Sequence, residues 1–198
     1  AGQKCTAIRR IFVPENKMED VWKAIAVELD KTTIGNPLNE KVRMGSMAGL
    51  TQRDEVKTQV QKLLATSKII YGSLDSGSVI DADANEGAFL SPLLLINEKP
   101  FASEESHSIE AFGPVSTIMP YKNMDEAIAL SKKGKGSLCS SIVTADPSIA
   151  KQYVIGAASH HGRILVLNND CAKESTGHGS PLPLLVHGGP GRAGGGEE

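Results

Sequence analysis

The first residue whose chemistry stands out is Cys5, in the segment Gly2-Gln3-Lys4-Cys5-Thr6-Ala7. It follows a small polar turn and precedes an apolar run over residues 8–13 that is typical of a strand. A thiolate acts as a nucleophile when it is both exposed and oriented, and a turn at the lip of a cleft meets both conditions. A free cysteine is more often a small buried hydrophobic residue, so this segment alone leaves a catalytic and a structural interpretation open.

A second candidate is the segment Glu110-Ala111-Phe112-Gly113-Pro114. If this backbone is extended, Glu110 and Phe112 project to the same side, and the glycine and proline then turn the chain into the next strand. A carboxylate accepts hydrogen bonds from ribose hydroxyls, and an aromatic face packs against a heterocycle. On the spacing alone, a solvent-facing glutamate beside a phenylalanine of the core is the preferred interpretation.

The two segments together resemble the motifs of the aldehyde dehydrogenase superfamily, namely Gly-Gln-x-Cys followed by Arg10 and, later in the chain, Glu-x-Phe-Gly-Pro. The resemblance implies that Cys5 is the nucleophile and that NAD or NADP is the cofactor. It also implies that Glu110 hydrogen-bonds the nicotinamide ribose and that Phe112 packs against that ribose or the ring. Gln52 matches a weaker cofactor-contact position of some members.

Residues 5–10 and 170–180 resemble one branch of this family more closely. That branch is the aldehyde dehydrogenase part of bacterial bifunctional proteins of phenylacetate degradation, which is fused to an enoyl-CoA-hydratase-like ring-opening domain. The resemblance implies oxidation of a CoA-linked semialdehyde to the acid, with a preference for NADP. Residues 162–168 and 188–195 are similar to the family's last strand and to a variant of its glycine-rich segment.

The mechanism implied by the resemblance is addition of Cys5 to an aldehyde, hydride transfer to the nicotinamide and hydrolysis of the resulting thioester. The family's glutamate base, oxyanion-binding asparagine and nucleotide-binding domain precede the cysteine. We therefore expect residues 1–198 to be a catalytic-domain fragment without turnover of its own. Two alternatives are a non-catalytic interaction domain derived from the family and a CoA-acylating aldehyde dehydrogenase.

Composition and charge limit which kinds of partner and which cellular compartment are expected. A chain of 198 residues with 40% hydrophobic and 22% charged residues accommodates one globular domain. The net charge of -2 gives no reason to expect nucleic acid or an anionic membrane as a partner. No apolar run is long enough to span a bilayer, no signal peptide opens the chain, and three cysteines without a CxxC pair favour a reducing cytoplasm. The expected partner is a small-molecule aldehyde, and the resemblance implies a homo-oligomer.

Strands alternating with helices predict a single α/β domain with a mostly parallel sheet flanked by helices. Helices are predicted over residues 17–32, 51–66, 123–131 and 146–157, with Thr51, Asn123 and Asp146 as N-caps. Strands are predicted over residues 8–13, 68–71, 89–96, 115–120, 138–144 and 162–168. The strand over 89–96 is expected to be bent or at an edge because Pro92 interrupts it, and residues 72–88 are expected to form a surface loop or hairpin.

Gly189-x-Gly191-x-x-Gly194, with the apolar residues 182–186 before it, matches a dinucleotide fingerprint. The fingerprint also requires a following helix and a later acidic residue, so a glycine-rich turn is the better interpretation.

The five histidines show no Cys or His partner at ligand spacing, and no metal is predicted. His107 is expected at the surface, Cys139 in a buried and inert position, and Cys171 in a structural one.

Overall fold

The computed structural model describes residues 1–75, 77–180, 182, 184–185 and 187–195. The chain divides into two compact units. The first unit consists of Ala1–Lys4 and Arg9–Pro120, and the second consists of Cys5–Ile8 and the chain from Tyr121 onward. Cys5 therefore belongs to the second unit, whereas Glu110 and Phe112 belong to the first.

The first unit is built on four strands: β1 (Arg10–Pro14), β3 (Lys68–Tyr71), β5 (Leu93–Ile96) and β6 (Val115–Tyr121). Their order in the sheet is β1-β6-β5-β3, with β5 parallel to β6 and antiparallel to β3. Two shorter strands, β2 (Ile34–Gly35) and β4 (Val79–Ile80), form a separate parallel pair. β5 is an almost uninterrupted apolar run because an interior strand covered on both faces needs apolar side chains in both directions.

Helices cover the two faces of this sheet: α1 (Met18–Leu29), α2 (Leu50–Leu63) and the single turn α3 (Glu105–Ser108). Alternation along β5 distributes its side chains between two layers. Leu94 packs in a cluster with Trp22 of α1, whereas Leu93 and Leu95 pack with Val60 of α2.

The second unit contains α4 (Met124–Lys132), β7 (Ser137–Val143), α5 (Pro147–Ala157) and β8 (His161–Leu167). β7 and β8 pair in parallel, and α5 provides the crossover that a parallel pair requires. The two N-caps predicted in this unit are confirmed. Asn123 Oδ1 accepts the N–H of Glu126 at 3.0 Å, and Asp146 Oδ1 accepts the N–H of Ser148 at 2.8 Å.

The predicted α/β class and the prevalence of parallel pairing are confirmed, and several details differ. The strand expected over 89–96 begins after Pro92 and lies inside the sheet instead of at its edge, because the proline precedes the ladder. Residues 79–80 do not form a hairpin but pair with β2. α2 begins at Leu50, with Gly49 instead of Thr51 at the N-cap and no side-chain cap.

Within the described residues, no helix combines the length and the apolar character that crossing a bilayer requires.

Candidate active site

Cys5 lies on a tight turn over residues 5–6, and its side chain is exposed. The next residue, Thr6, is buried, and its Oγ1 has no hydrogen-bond partner among the residues that the structure describes. Gly179 packs directly on Thr6: a Cβ at position 179 would lie 2.5 Å from Thr6 Oγ1, and the φ angle of Gly179 is +73°. Only glycine combines this backbone conformation with so close an approach. The turn that carries Cys5 is therefore supported by the loop that contains Gly179.

The Cys5 thiol is hydrogen-bonded. Its Sγ lies 3.4 Å from Nε2 of His187, and Nδ1 of the same ring lies 3.3 Å from Nη1 of Arg163. Arg163 is a residue of β8, and its Nη2 also donates to the carbonyl of Gly179 at 3.1 Å. Local spacing offered no partner for His187, because Cys5 is separated from it by 182 positions in the chain.

The β7–β8 pair is the platform beneath this arrangement. Cys139 is in register with Arg163, and residues in register on parallel strands share one face of the sheet. On that face Cys139 Sγ lies 3.2 Å from His178 Nε2, and Ser141 Oγ lies 2.5 Å from His178 Nδ1. The opposite face contributes Ile142 and Ile164 to the core formed with α4 and α5. The face that carries Arg163, Cys139 and Ser141 therefore holds the loop that contains His178 and Gly179.

The other two cysteines differ in their surroundings. Cys139 is half-buried and bound to His178, so the prediction that it is buried is wrong. Cys171 closes a turn with Asn168: its sulfur accepts the Asn168 N–H at 3.4 Å, and its own N–H donates to Asn168 Oδ1 at 3.1 Å. This bonding is the structural role expected for Cys171.

In the first unit, exposure alternates along the segment that contains Glu110 and Phe112. Glu110 is exposed, Ala111 between them is buried in the core, and Phe112 is 46% exposed. This alternation is what an extended segment with both side chains on one side predicts, and the exposure of Phe112 excludes the alternative of a core phenylalanine. A carboxylate beside a solvent-facing aromatic ring offers both contacts that a nicotinamide ribose requires.

Two arginines position this segment. Arg9 donates to the carbonyls of Ile109 at 3.0 Å and His107 at 3.3 Å. Arg10 Nη1 lies 3.1 Å from His107 Nδ1, while His107 Nε2 lies 2.9 Å from the Pro100 carbonyl. Because arginine has no acceptor, Nδ1 accepts and Nε2–H donates. His107 is therefore fully buried with both nitrogens bonded, and the prediction that it lies at the surface is wrong.

Within the first unit, the backbone before Cys5 packs against the turn that follows Phe112. A Cβ on Gly2 would lie 2.7 Å from the nitrogen of Pro114, so no larger residue fits there. Gln3 Oε1 accepts the N–H of Ala48 at 2.8 Å. Gln52 is exposed in the first turn of α2, and its Oε1 faces Gly49.

The glycine-rich segment forms the turn that was predicted. Residues Gly191–Ala193 adopt one 3₁₀ turn, Gly189 N–H donates to the Gly194 carbonyl at 3.2 Å, and Arg192 N–H donates to the Lys135 carbonyl at 2.9 Å. In the preceding apolar run, residues 183 and 186 lie outside the described residues.

Among the described residues, no group of three or more histidine, cysteine, aspartate or glutamate side chains is placed to hold a metal ion. The absence of a metal site stays a prediction. A cavity of about 400 Å³ in the first unit is bordered by Asp30, Tyr71 and Pro92 and contains none of the predicted site residues.

Comparison with known proteins identifies the family. Residues 1–175 match the family model of the aldehyde dehydrogenases. The chain is 47% identical over 157 residues to protein MaoC of Klebsiella aerogenes, covering 78% of this chain and 45% of that protein. It is 36% identical over 189 residues to 3,4-dehydroadipyl-CoA semialdehyde dehydrogenase of Aromatoleum evansii, covering 96% of this chain and 37% of that protein.

Solved structures agree in fold. Betaine aldehyde dehydrogenase of Staphylococcus aureus in complex with NAD+ matches with a TM-score of 0.81 and 20% identity over 98% of this chain and 35% of its own. HpcC of Thermus thermophilus matches with a TM-score of 0.82 and 19% identity over 98% and 35%. The chain spans less than half the length of these relatives. By its sequence match over residues 1–175, this chain belongs to the aldehyde dehydrogenase family.

Proposed function

We propose that this chain is the cysteine-bearing catalytic-domain fragment of an NAD(P)-dependent aldehyde dehydrogenase. Cys5 is the nucleophile, and Glu110 and Phe112 contact the nicotinamide end of the cofactor. The observation that carries the proposal is the exposed, hydrogen-bonded thiol of Cys5 on a turn supported by Gly179. An exposed and oriented thiol is what nucleophilic catalysis needs.

In the proposed reaction, the Cys5 thiolate forms a C–S bond to the carbonyl carbon of the aldehyde, which becomes a thiohemiacetal oxyanion. Backbone N–H groups near Cys5 are the donors that this chain offers to that oxyanion. Bound NAD(P)+ supplies the hydride acceptor for the oxidation. Water then cleaves the thioester on Cys5, so that the carboxylic acid leaves and the thiol is restored.

For the cofactor, the exposed pair Glu110 and Phe112 fits a nicotinamide ribose in its chemistry, with an acceptor for hydroxyls and a face for packing. NADP is the proposed preference, supported by the resemblance of residues 170–180 to the phenylacetate branch. For the substrate, we propose a CoA-linked semialdehyde of aromatic catabolism. The support is the similarity over 96% of this chain to a protein named 3,4-dehydroadipyl-CoA semialdehyde dehydrogenase.

A cytoplasmic location is also proposed, because Cys5, Cys139 and Cys171 form no disulfide within the described residues, as expected in a reducing compartment. Assembly into a homo-oligomer is proposed from the resemblance alone.

The proposal is tested on the longer protein that carries this chain and on the chain by itself. We expect aldehyde-dependent NAD(P)H formation by the longer protein, loss of this activity in Cys5→Ala, and retained cofactor binding. The 198-residue chain alone should show no turnover. Activity that survives Cys5→Ala would refute the nucleophile.

Product analysis separates the alternatives. Release of the free acid supports the hydrolytic dehydrogenase, whereas formation of an acyl-CoA assigns the CoA-acylating reaction. If the longer protein neither binds NAD(P) nor oxidises aldehydes, the non-catalytic interaction domain is the correct interpretation.

A further inference from the structure

Building on the proposed role of Cys5, we infer that His187 is a hydrogen-bond donor to the reacting sulfur and that Arg163 sets its tautomer. Neither residue is part of the two motifs that identify the family in this sequence. The inference rests on the geometry of the Cys5, His187 and Arg163 side chains, all of which lie in the second unit.

The tautomer follows from the partners of the ring. Arg163 Nη1 lies 3.3 Å from His187 Nδ1, and a guanidinium group can only donate. Nδ1 therefore accepts, and in the neutral ring the hydrogen is on Nε2. Nε2 lies 3.4 Å from Cys5 Sγ, so the N–H points to the sulfur.

The direction of this hydrogen bond, from His187 to the sulfur, distinguishes the arrangement from a cysteine–histidine pair in which histidine takes the proton of the thiol. Here the nitrogen facing the sulfur already carries a hydrogen. His187 therefore stabilises and orients a thiolate as a donor, and it does not serve as the base that forms it. The positive charge of Arg163, on the far side of the imidazole, also stabilises the Cys5 thiolate.

Arg163 is the positioning residue of the arrangement. It extends from β8 and donates both to His187 and, through Nη2 at 3.1 Å, to the carbonyl of Gly179. Gly179 in turn packs on Thr6, which is next to Cys5 in the chain. The contacts thus form a closed circuit that runs from Cys5 through three partners to Thr6, which is next to Cys5 in the chain; the partners are His187, Arg163 and Gly179. One guanidinium group binds both the imidazole nitrogen and the loop that supports the turn.

The second Cys–His pair of this unit carries no equivalent assignment. His178 Nδ1 faces the hydroxyl of Ser141, which can donate or accept, so the partners leave both tautomers open. Its cysteine, Cys139, is half-buried, whereas Cys5 is exposed. Cys139 therefore serves as an internal comparison in the test.

The experiment measures the rate of iodoacetamide alkylation at each cysteine of the 198-residue chain by peptide mass spectrometry. The variants are His187→Phe, which keeps a ring without a donor, and His187→Gln, which keeps an amide N–H. We expect His187→Phe to lower the alkylation rate of Cys5 by about three- to tenfold. Loss of a charge-assisted hydrogen bond reduces the fraction of thiolate. The remaining thiolate is more basic and therefore more nucleophilic, which offsets part of that loss. His187→Gln should restore part of the rate, and the ultraviolet thiolate absorbance should follow the same order.

The controls separate this role from folding. His160→Phe replaces a ring that is hydrogen-bonded to neighbouring Ser159, and it should leave the alkylation rate of Cys5 unchanged. The alkylation rate of Cys171 and the circular dichroism spectrum report whether each variant is folded. If His187→Phe does not fold, Arg163→Met and Arg163→Lys answer the same question, and Met should slow Cys5 more than Lys does.

The possible outcomes are distinguishable. A normal Cys5 rate in folded His187→Phe, or equal rates in the Phe and Gln variants, overturns the donor role and leaves the proposed nucleophile untouched. If Cys5 is not the fastest cysteine in the unmodified chain, the proposed nucleophile itself is contradicted.

Discussion

The packing of Gly179 on Thr6 leads to a sharp prediction for Gly179→Ala. The φ angle of Gly179 is +73°, and an added Cβ would lie 2.5 Å from Thr6 Oγ1. The left-handed conformation costs a non-glycine residue about 1–2 kcal/mol, and displacing packed atoms costs about 1–3 kcal/mol more. We therefore expect Gly179→Ala to lower the free energy of unfolding by about 2–5 kcal/mol.

Gly177 provides a matched control in the same loop. Its φ angle is +84°, but an added Cβ would meet no atom within 4 Å. Gly177→Ala should therefore show only the backbone cost of about 1–2 kcal/mol. For a chain of this size, 1 kcal/mol corresponds to about 2–4 °C in Tm, so the two variants should differ by roughly 2–12 °C.

Thermal unfolding followed by circular dichroism measures this difference, and alkylation of Cys5 reports its local consequence. Gly179→Ala should alter the Cys5 rate because the alanine displaces either the turn or the loop that supports it. Gly177→Ala should leave the rate unchanged. Equal Tm values for the two variants would refute the contact between the loop and Thr6.

Three other predictions follow from particular contacts. In the longer protein, Phe112→Ala should weaken NAD(P) binding by about twofold to tenfold, which corresponds to the free energy of one aromatic contact. Phe101, which is exposed to a similar extent, is the control. An equal loss of binding in Phe101→Ala would contradict the proposed contact of Phe112 with the cofactor. Asp146→Ala removes an N-cap that accepts two backbone N–H groups and should lower stability by about 1 kcal/mol, measured by urea unfolding, and an unchanged midpoint would argue against the cap. Burial, with the adjacent Asp30 carboxylate, raises the pKa of Tyr71 above 10.0, so its contribution to stability is present below that pH and is lost as the pH rises through the raised value. Tyr71→Phe should weaken the fall in Tm at alkaline pH, and an unaltered profile would contradict this reasoning.

Much of the local structure is predictable because it depends on neighbours in sequence. Asn123 and Asp146 cap their helices by accepting N–H groups two or three residues further on, and their residue types and positions before the helical patterns predict this. The shared exposure of Glu110 and Phe112, with Ala111 buried between them, is the alternation expected of an extended chain. The single turn α3 is too short to produce a helical period, so no pattern predicts it.

Features that depend on distant partners were predicted less well. The strand β5 lies inside the sheet because β6 and β3 pair with its two edges, and Pro92 by itself indicates only that a ladder hydrogen bond is missing before it. His107 is buried because Arg10 and the Pro100 carbonyl satisfy its nitrogens. A polar residue is expected at the surface until such partners are known.

The sequence by itself determined the family, through two short motifs whose residue types have a direct chemical use, and it identified Cys5, Glu110 and Phe112 as the site candidates. Only the tertiary structure placed His187 at the sulfur of Cys5 and Arg163 behind it. The reason is physical: a motif is read along the chain, whereas a hydrogen bond between residues 182 positions apart depends on how β8 and the loops around it fold. Cys5 is a candidate that the sequence shows, whereas the histidine that lies against its sulfur is seen only in the fold.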